Sequence, residues 1–327
     1  MDNKTVRWII ILIILGLGGY ALYNQSQIAE GAVKVGVTQI TSHPVFDEIN
    51  KGIVKAFEDA GYKEGVDVVF DFQNAQGDQT VNESIAQKFA SSNYDLFMPL
   101  GTPASQAVVN LIKERPIVFG AVTDPLSAGL VKSSEKPGAN VTGTSDITLY
   151  KEHLELLKRL TPSARRLGVV YNPGEANARF ALEQTKKEAG KLNMQVITAP
   201  ANNTGEILGA ARSIVRRVDA FYILPDNTIL AGQESLIKVA LENKKPLIGI
   251  EQSTIEKGGL ATLGTNYLMV GVRTGEIAIR VLKGEDPGTI PVLGVTDADV
   301  FLNTKTADAI GVSLPEDLIK SAKQIYQ

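Results

Sequence analysis

The chain contains no cysteine. This absence excludes disulfides, thiolate zinc sites and cysteine nucleophiles, and it also excludes a lipid-bearing cysteine after an amino-terminal leader. The two histidines, His43 and His153, are far apart in sequence, so they form no metal-spaced pair; His153 lies in a predicted helix, where we expect a solvated or capping residue. P-loop, G-x-G-x-x-G and G-x-S-x-G motifs are missing too. We therefore expect no metal and no cofactor.

Charge of one sign is also scarce. The formal net charge is −3, with acidic and basic residues dispersed and no long basic block, so we expect no nucleic-acid partner. A composition of 44% hydrophobic and 21% charged residues is typical of a globular protein. The length of 327 residues is sufficient for two domains of ordinary size.

The amino terminus has the pattern of an export segment. Lys4 and Arg7 precede an almost unbroken apolar run from Trp8 to Leu22, and the next basic residue is Lys34. This asymmetry predicts a cytoplasmic amino end with the bulk of the chain outside, and it disfavours a buried core helix. The run is short beside the roughly 20 residues of a comfortable span. A retained hydrophobic anchor helix and a signal peptide cleaved after Ala21 both stay open. We expect an exported protein, periplasmic or at the outer face of the cytoplasmic membrane.

From Ala32 onward, short apolar strands alternate with amphipathic helices. This alternation predicts a parallel sheet covered by helices on both faces. The first set of strands is predicted at Val33–Gln39, Val66–Gln73, Asp95–Gly101 and Pro116–Val122.

The same order of elements recurs in the second half of the chain. Asp95 and Asp219 begin equivalent strands, and Pro116 and Pro246 open the next ones. This duplication predicts an α/β protein with two similar doubly wound lobes joined by a hinge, whose candidate crossings are residues 142–146 and 264–267. We assign residues 1–31 to a signal or anchor segment and linker, 32–146 plus 266–287 to lobe 1, and 147–265 plus 288–327 to lobe 2.

The carboxyl ends of the predicted strands are polar and form turns. Ligands of doubly wound sheets bind beyond these ends, and two facing lobes create a cleft there. The stretch Tyr171–Ala178 is an example: the Pro173–Gly174 turn leads into a helix, whose first amides and dipole favour a carboxylate.

Each of these signals also has a purely structural interpretation. Thr102 or Ser105 is a plausible helix cap, Asp124 a plausible Asx-turn residue, and Asp226 a plausible turn residue. At equivalent ends of two repeated lobes, however, the same residues together predict a polar site. Hydroxyls and helix amino termini would hold a carboxylate, and Asp or Glu would hold an ammonium, so the site suits a zwitterion.

Several blocks of this sequence resemble one known family. It is the ABC transporter substrate-binding family typified by tryptophan- and tyrosine-type binding proteins, and the resemblance runs from Val33 to the end. The blocks are HPVFDEI, QNAQGD, TPASQAV, VTDPLSAGLV, PGANVTGTSD, YNPGEANA, PDNTI and ATLGTNY. The resemblance implies a type I periplasmic-binding fold. It also implies a protein that captures an amino acid, often aromatic, between its lobes and delivers it to a membrane permease with a cytoplasmic ATPase.

The resemblance and the strand ends together give the expected ligand-binding residues. Thr102, Ser105 and the backbone of Ala176 and Asn177 would hold the carboxylate, and Asp146 or Asp226 the ammonium. Phe46 and Tyr267 would line the side-chain pocket. The complete set is Gln39, His43, Phe46, Thr102, Ala104, Ser105, Thr123, Asp124, Asp146, Asn172, Glu175, Ala176, Asn177, Asp226, Asn227, Glu251 and Tyr267.

Two alternatives to transport stay open at this point. The same fold can serve as a sensor that reports its ligand to a membrane partner. An enzyme would need an activated nucleophile or an acid–base pair, and the sequence offers only dispersed carboxylates, so we expect none. A sugar-responsive regulator would carry a DNA-binding helix-turn-helix where this chain has its apolar segment. We expect a monomer, and the ligand's side chain is left open.

Overall fold

A computed structural model describes residues 31–146, 148–294 and 298–327. The predicted amino-terminal helix, as signal or anchor, and almost all of the linker lie outside these ranges. Within them, no helix is both long enough and apolar enough to cross a membrane.

The first lobe begins as a β/α repeat. The elements are β1 (Val33–Gln39), α1 (Pro44–Asp59), β2 (Val68–Asn74), α2 (Gln79–Ala90), β3 (Leu96–Leu100), α3 (Thr102–Leu111), β4 (Ile117–Phe119) and β5 (Val141–Ser145). The strands are short, and the central ones, β3, β4 and β5, are buried because helices cover both faces of the sheet.

The chain then crosses to a second lobe and repeats this order. The elements are α4 (Tyr150–Leu160), β6 (Arg166–Tyr171), α5 (Ala176–Lys191), β7 (Gln195–Pro200), α6 (Ile207–Ile214), β8 (Ala220–Tyr222), α7 (Asn227–Ala231), α8 (Gln233–Glu242), β9 (Leu247–Ile248), α9 (Gln252–Glu256) and β10 (Ala261–Thr265).

The carboxyl-terminal part visits both lobes. It returns to the first lobe and finally to the second, through α10 (Tyr267–Leu282), β11 (Leu293–Gly294), β12 (Ala298–Asn303), α11 (Thr304–Ile310), α12 (Glu316–Ser321) and β13 (Gln324–Tyr326).

The two sheets share one strand order. The first sheet runs β11-β5-β4-β3-β1-β2, and the second runs β13-β12-β10-β9-β8-β6-β7. Strands β1 to β5 therefore correspond to β6 to β10, each set in the doubly wound order with one reversal. The pairings are parallel except for β12, which runs antiparallel to β10. The predicted architecture of two similar α/β lobes is confirmed.

The chain leaves lobe 1 at the end of β5 and leaves lobe 2 at the end of β10. Since residues 142–145 lie within β5, the first crossing begins at Asp146, the last residue of the proposed hinge segment. Strand β11 pairs with β5 in the first sheet, whereas the proposed boundary at residue 288 placed it in lobe 2. A strand of two residues is too short to show the alternation of apolar and polar residues by which a strand is recognised in a sequence.

Helices α1 and α10 pack closely through glycines. A Cβ on Gly52 would lie 2.2 Å from the Leu268 carbonyl oxygen, and one on Gly271 would lie 2.1 Å from that of Ile49. Only glycine allows the two backbones to approach this closely. The amino-terminal turns of α1 and α10 are therefore fixed relative to each other. Each turn has a residue that faces the cleft, Phe46 in α1 and Tyr267 in α10.

His153 differs from its prediction as a solvated or capping residue. Its side chain is buried in lobe 2, with Nδ1 2.9 Å from the Tyr222 hydroxyl and Nε2 2.9 Å from the Leu263 carbonyl oxygen. Burial lowers the pKa of His153 to about 4. The neutral ring links α4 to β8 and β10 through these two hydrogen bonds.

Candidate ligand-binding site between the lobes

A cavity of about 40 Å³ lies between the lobes at the carboxyl ends of their strands. Among the described residues, neither Lys nor Arg lines it. The lining residues are Thr41, His43, Val45, Phe46, Gly101, Thr102, Ala121, Thr123, Asp146, Asn177, Pro225, Asp226, Asn227, Leu230, Ile250 and Tyr267.

The predicted site residues divide into two groups in the structure. The cavity brings together His43, Phe46, Thr102, Thr123, Asp146, Asn177, Asp226, Asn227 and Tyr267. Outside its lining lie Gln39, Ala104, Ser105, Asp124, Asn172, Glu175, Ala176 and Glu251.

Several lining residues were not predicted, and most of them are small or apolar. Gly101 and Pro225 directly precede predicted residues at their strand ends, so adjacency could have identified them. Val45, Leu230 and Ile250 carry no such signal, because an apolar residue near a strand end looks the same whether it faces a ligand or the core.

Asp146 is a buried carboxylate with a free oxygen. It lies where the chain leaves β5, its side chain is 8% exposed, and Oδ1 has no hydrogen-bond partner among the described residues. Its Oδ2 lies 3.4 Å from the Tyr267 hydroxyl. Burial raises the pKa of Asp146 to about 7, although hydrogen bonds from its own backbone and from Tyr267 oppose the shift. An unpaired buried carboxylate is costly, and a cationic group in the cavity would remove that cost.

Two helix amino termini face the cavity without a side-chain cap. Helix α3 begins after Gly101 and α5 after Glu175, and neither preceding residue caps its helix through a side chain. The two helices contact each other across the cleft. Thr102 Oγ1 in α3 and Asn177 Oδ1 in α5 are buried, and neither has a hydrogen-bond partner within residues 31–146, 148–294 and 298–327. Open amides, a helix dipole and a free hydroxyl form a site for an anion.

The amino terminus of α7 is, by contrast, filled by the protein's own carboxylates. Glu175 Oε2 accepts hydrogen bonds from the Asn227 amide at 3.0 Å and side chain at 2.7 Å, and Oε1 accepts from the Thr228 amide at 2.9 Å and hydroxyl at 2.7 Å. Asp226 accepts from the amides of Ile229 and Asn172 at 3.0 and 2.6 Å. Burial and the neighbouring Glu175 charge raise the pKa of Asp226 well above its usual range.

Most of the predicted residues outside the cavity have structural partners. Ser105 donates its hydroxyl to the Gly101 carbonyl at 2.7 Å, and Gln39 donates to the Thr41 carbonyl at 2.8 Å. Asp124 accepts from the Ser127 amide at 2.6 Å, as an Asx turn requires. Asn172 accepts from the Gly174 amide at 2.8 Å. These side chains shape the loops around the cavity.

His43 and Glu251 meet across the cleft. Nε2 of His43, from lobe 1, lies 3.2 Å from Oε1 of Glu251, from lobe 2. The described lobes are therefore held in contact on the side of the cavity where α1 begins.

Two duplicated α/β lobes that enclose a cavity between the ends of their strands define a two-lobe binding protein of the type I periplasmic-binding fold. The family model described as ABC transporter substrate binding protein matches residues 34–326. The chain therefore belongs to the ABC transporter substrate-binding family, and it is a substrate-binding protein. This is not a family of enzymes, and its members are extracytoplasmic.

A relative in the same family is the tyrosine-binding protein of Clostridioides difficile (strain R20291). It is 41% identical over 290 residues, which cover 88% of this chain and 84% of the relative.

Two solved structures are also similar. An ABC domain in complex with L-Trp from Streptococcus pneumonia has a TM-score of 0.87 at 35% identity, covering 90% of this chain and 99% of that one. A ligand-free, open substrate-binding protein from Clostridium difficile has a TM-score of 0.69 at 38% identity, covering 90% of this chain and 100% of that one. The lobe arrangement here is therefore closer to that of the tryptophan-bound neighbour.

Proposed function

We propose that this protein captures an amino acid, with aromatic side chains favoured, and delivers it to the permease and ATPase subunits of an ABC importer. One observation carries the proposal: in the described part of the chain, the cavity combines Asp146, a buried carboxylate with a free oxygen, with two uncapped helix amino termini, and no Lys or Arg lines it. These are the complements of an ammonium and a carboxylate on one small molecule.

The ammonium is assigned to Asp146. The sequence left Asp146 and Asp226 as alternatives, but each oxygen of Asp226 already accepts a backbone amide. Asp146 Oδ1 has no such partner, and Asn177 Oδ1 offers a second free acceptor. An ammonium that reached these two atoms would satisfy both.

The carboxylate is assigned to the gap between α3 and α5. Thr102 Oγ1 and the first amides of both helices would donate to it, while the Ser105 hydroxyl stays within its own helix. Because α3 belongs to lobe 1 and α5 to lobe 2, a carboxylate held there binds both lobes at once. Such differential contacts favour the closed state.

The side chain of the ligand is assigned to the apolar part of the cavity. Phe46 and Tyr267 face it on α1 and α10, and Val45, Leu230 and Ile250 add apolar surface. The aromatic preference is supported by the names of the tyrosine-binding relative and the tryptophan-bound neighbour.

The cellular setting follows the same proposal. We place the protein in the periplasm or at the outer face of the cytoplasmic membrane, as a monomer, with its amino-terminal segment either cleaved or retained as anchor. The proposed division stays 32–146 plus 266–287 for lobe 1 and 147–265 plus 288–327 for lobe 2. Strand β11 departs from this division, because it pairs with β5 in the sheet of lobe 1.

The test is a thermal-shift screen of the full-length protein in mild detergent. The ligands are the twenty amino acids with sugars, purines and short peptides. A true ligand at a hundredfold excess over its Kd adds about 2.7 kcal/mol to the free energy of unfolding. We expect the largest shifts with tyrosine, tryptophan or phenylalanine. A shift with sugars or purines alone would reject the amino-acid assignment.

Two truncated ligands sharpen the screen. Tyramine lacks the carboxylate of tyrosine, and 3-(4-hydroxyphenyl)propionate lacks its ammonium. Both should bind at least tenfold more weakly than tyrosine, since each leaves one half of the site unpaired. Equal binding of either one would show that its missing group is not recognised.

A further inference from the structure

The contact between the lobes around His43 involves three buried side chains. His43 precedes α1 in lobe 1, while Gln233 and Glu251 stand at the starts of α8 and α9 in lobe 2, and all are at most 6% exposed. Nε2 of His43 lies 3.2 Å from Glu251 Oε1 and 3.3 Å from Gln233 Nε2. In the described part of the chain, no other side-chain ion pair joins the two lobes.

The lobe 2 side of this contact is organised within lobe 2. Thr254 donates its hydroxyl to Gln233 Oε1 at 2.6 Å, which turns the Gln233 amide nitrogen towards Glu251 Oε1 at 3.0 Å. Ser253 donates to the same oxygen at 2.6 Å. The carboxylate of Glu251 is therefore fixed in place by groups of its own lobe.

The lobe 1 side is organised as well. The Val45 amide donates to His43 Nδ1 at 3.3 Å, so this nitrogen acts as the acceptor of the ring. In a neutral imidazole the proton then resides on Nε2, which donates to Glu251. The Gln233 amide nitrogen is also a donor, so it makes no hydrogen bond to this ring nitrogen and acts on the latch through Glu251. Each lobe thus presents a matched half, a donor on His43 and an acceptor on Glu251.

We propose that His43, Glu251 and Gln233 form an inter-lobe latch that favours the closed state in the absence of ligand. Glu251 was predicted to bind the ligand, yet it does not line the cavity, whereas its partner His43 does. Glu251 is therefore a positioning residue: it holds His43 against the ligand and the lobes against each other. The latch rests on the two-lobe binding function proposed above.

The latch is reversible because it is incomplete. Glu251 Oε2 is buried in the closed state, and none of the described residues forms a hydrogen bond with it. Leaving a charged acceptor unpaired costs free energy, which opposes the gain at Oε1. The closed state is then populated without dominating, and the populated fraction sets the apparent affinity for the ligand.

The experiment measures the distance between the lobes in the ligand-free, full-length protein. Because the chain has no cysteine, Glu83→Cys on α2 and Asn203→Cys in lobe 2 provide the sole thiols for two spin labels. Both positions are exposed and lie on the walls of the wide groove between the lobes. We expect a closed and an open population in the labelled parent.

Glu251→Gln is the test variant and Glu256→Gln, on the exposed face of the same helix, is its matched control. We expect Glu251→Gln to lower the ratio of closed to open protein on the order of tenfold, since it replaces a charged acceptor. Glu256→Gln should leave the ratio unchanged. Adding His43→Gln to Glu251→Gln should cause little further loss, because the two residues act as a pair.

Three results would overturn the latch. They are a parent that is wholly open without ligand, equal distributions for the two glutamine variants, or fully additive effects of His43→Gln and Glu251→Gln. If Glu251→Gln fails to fold, Ser253→Ala decides, since it removes one donor to Glu251 and must lower the closed fraction. The same distance measurements with added L-tyrosine separate the two proposals. If Glu251→Gln lowers the closed fraction of the ligand-free protein but tyrosine closes none of the variants, the latch is supported and the amino-acid ligand is rejected.

Discussion

Asp146 and Glu175 are both buried carboxylates beside the cleft, but their surroundings differ. Each is 8% exposed and each follows a strand of its lobe. Both oxygens of Glu175 accept hydrogen bonds from the start of α7, whereas one oxygen of Asp146 has no partner in the described part of the chain. The difference teaches that a polar residue at a strand end is structural when the protein satisfies it and is available for a ligand when the protein does not.

The largest effect should come from removing the unsatisfied carboxylate. Asp146→Asn keeps the shape of the side chain but removes the charge opposite the ammonium. We expect the Kd for L-tyrosine to rise on the order of a hundredfold, about 2.7 kcal/mol. Calorimetric titration measures this change. The ligand-free Asp146→Asn protein should unfold at an equal or higher temperature than the parent. A loss of stability without a loss of affinity would show that Asp146 is structural and does not bind the ligand.

Glu175→Gln should show the opposite signature. It replaces the carboxylate that accepts four hydrogen bonds from Asn227 and Thr228, so the start of α7 loses its counter-charge. We expect the free energy of unfolding to fall by about 2 kcal/mol. Denaturant unfolding without ligand is the measurement, and Glu183→Gln on the exposed face of α5 is the control. An unchanged midpoint would contradict the structural role.

The pH dependence distinguishes the two carboxylates further. Asp146 has a pKa of about 7 in the ligand-free protein, so an arriving ammonium must displace a proton below that pH. The Kd should therefore rise as the pH falls, by up to about tenfold per pH unit. The same raised pKa contributes to the stability of the ligand-free fold in full below the ordinary carboxyl pKa of 3.8, and this contribution is lost as the pH rises from there through 7. Both trends should disappear in Asp146→Asn; a Kd independent of pH would argue against an ammonium at this residue.

The smallest effect is expected at the hydroxyls of α3. Thr102→Val removes a hydroxyl without a partner, while Ser105→Ala removes one that donates to Gly101. We expect Thr102→Val to weaken L-tyrosine binding about fivefold, near 1 kcal/mol, and to leave tyramine binding unchanged. Ser105→Ala should alter unfolding more than binding. If Ser105→Ala alone weakened tyrosine binding, Ser105 rather than Thr102 would be the hydroxyl that contacts the ligand.

Much of the fold could be predicted from the sequence because it depends on local patterns. Strand and helix order, the duplication and the strand-end location of the cleft all follow from periodicity and turn residues such as Pro173 and Gly174. The element β11, two residues long, could not be predicted, because its place in the first sheet is set by pairing with a distant strand.

The site was harder to predict than the fold, since polar residues at strand ends look alike in sequence. Glu175 and Asn227 are 52 positions apart, and only their contact reveals that Glu175 is already satisfied. The prediction for His153 was wrong for the same reason, because its hydrogen-bond partners Tyr222 and Leu263 lie on strands that are distant from it in sequence. Which carboxylate stays unpaired is a property of tertiary packing.

The glycine contact between α1 and α10 has a consequence for how this site can change over evolutionary time. Gly52 and Gly271 fix two helices whose first turns carry Phe46 and Tyr267. Any substitution that separates these helices displaces both aromatic walls together, although neither glycine lines the cavity. Substitutions at the lining residues Leu230 and Ile250 can therefore change the ligand specificity without moving the α1–α10 helix pair. Substitutions within the pair would move one whole wall of the cavity, so we expect specificity to change more readily at Leu230 and Ile250.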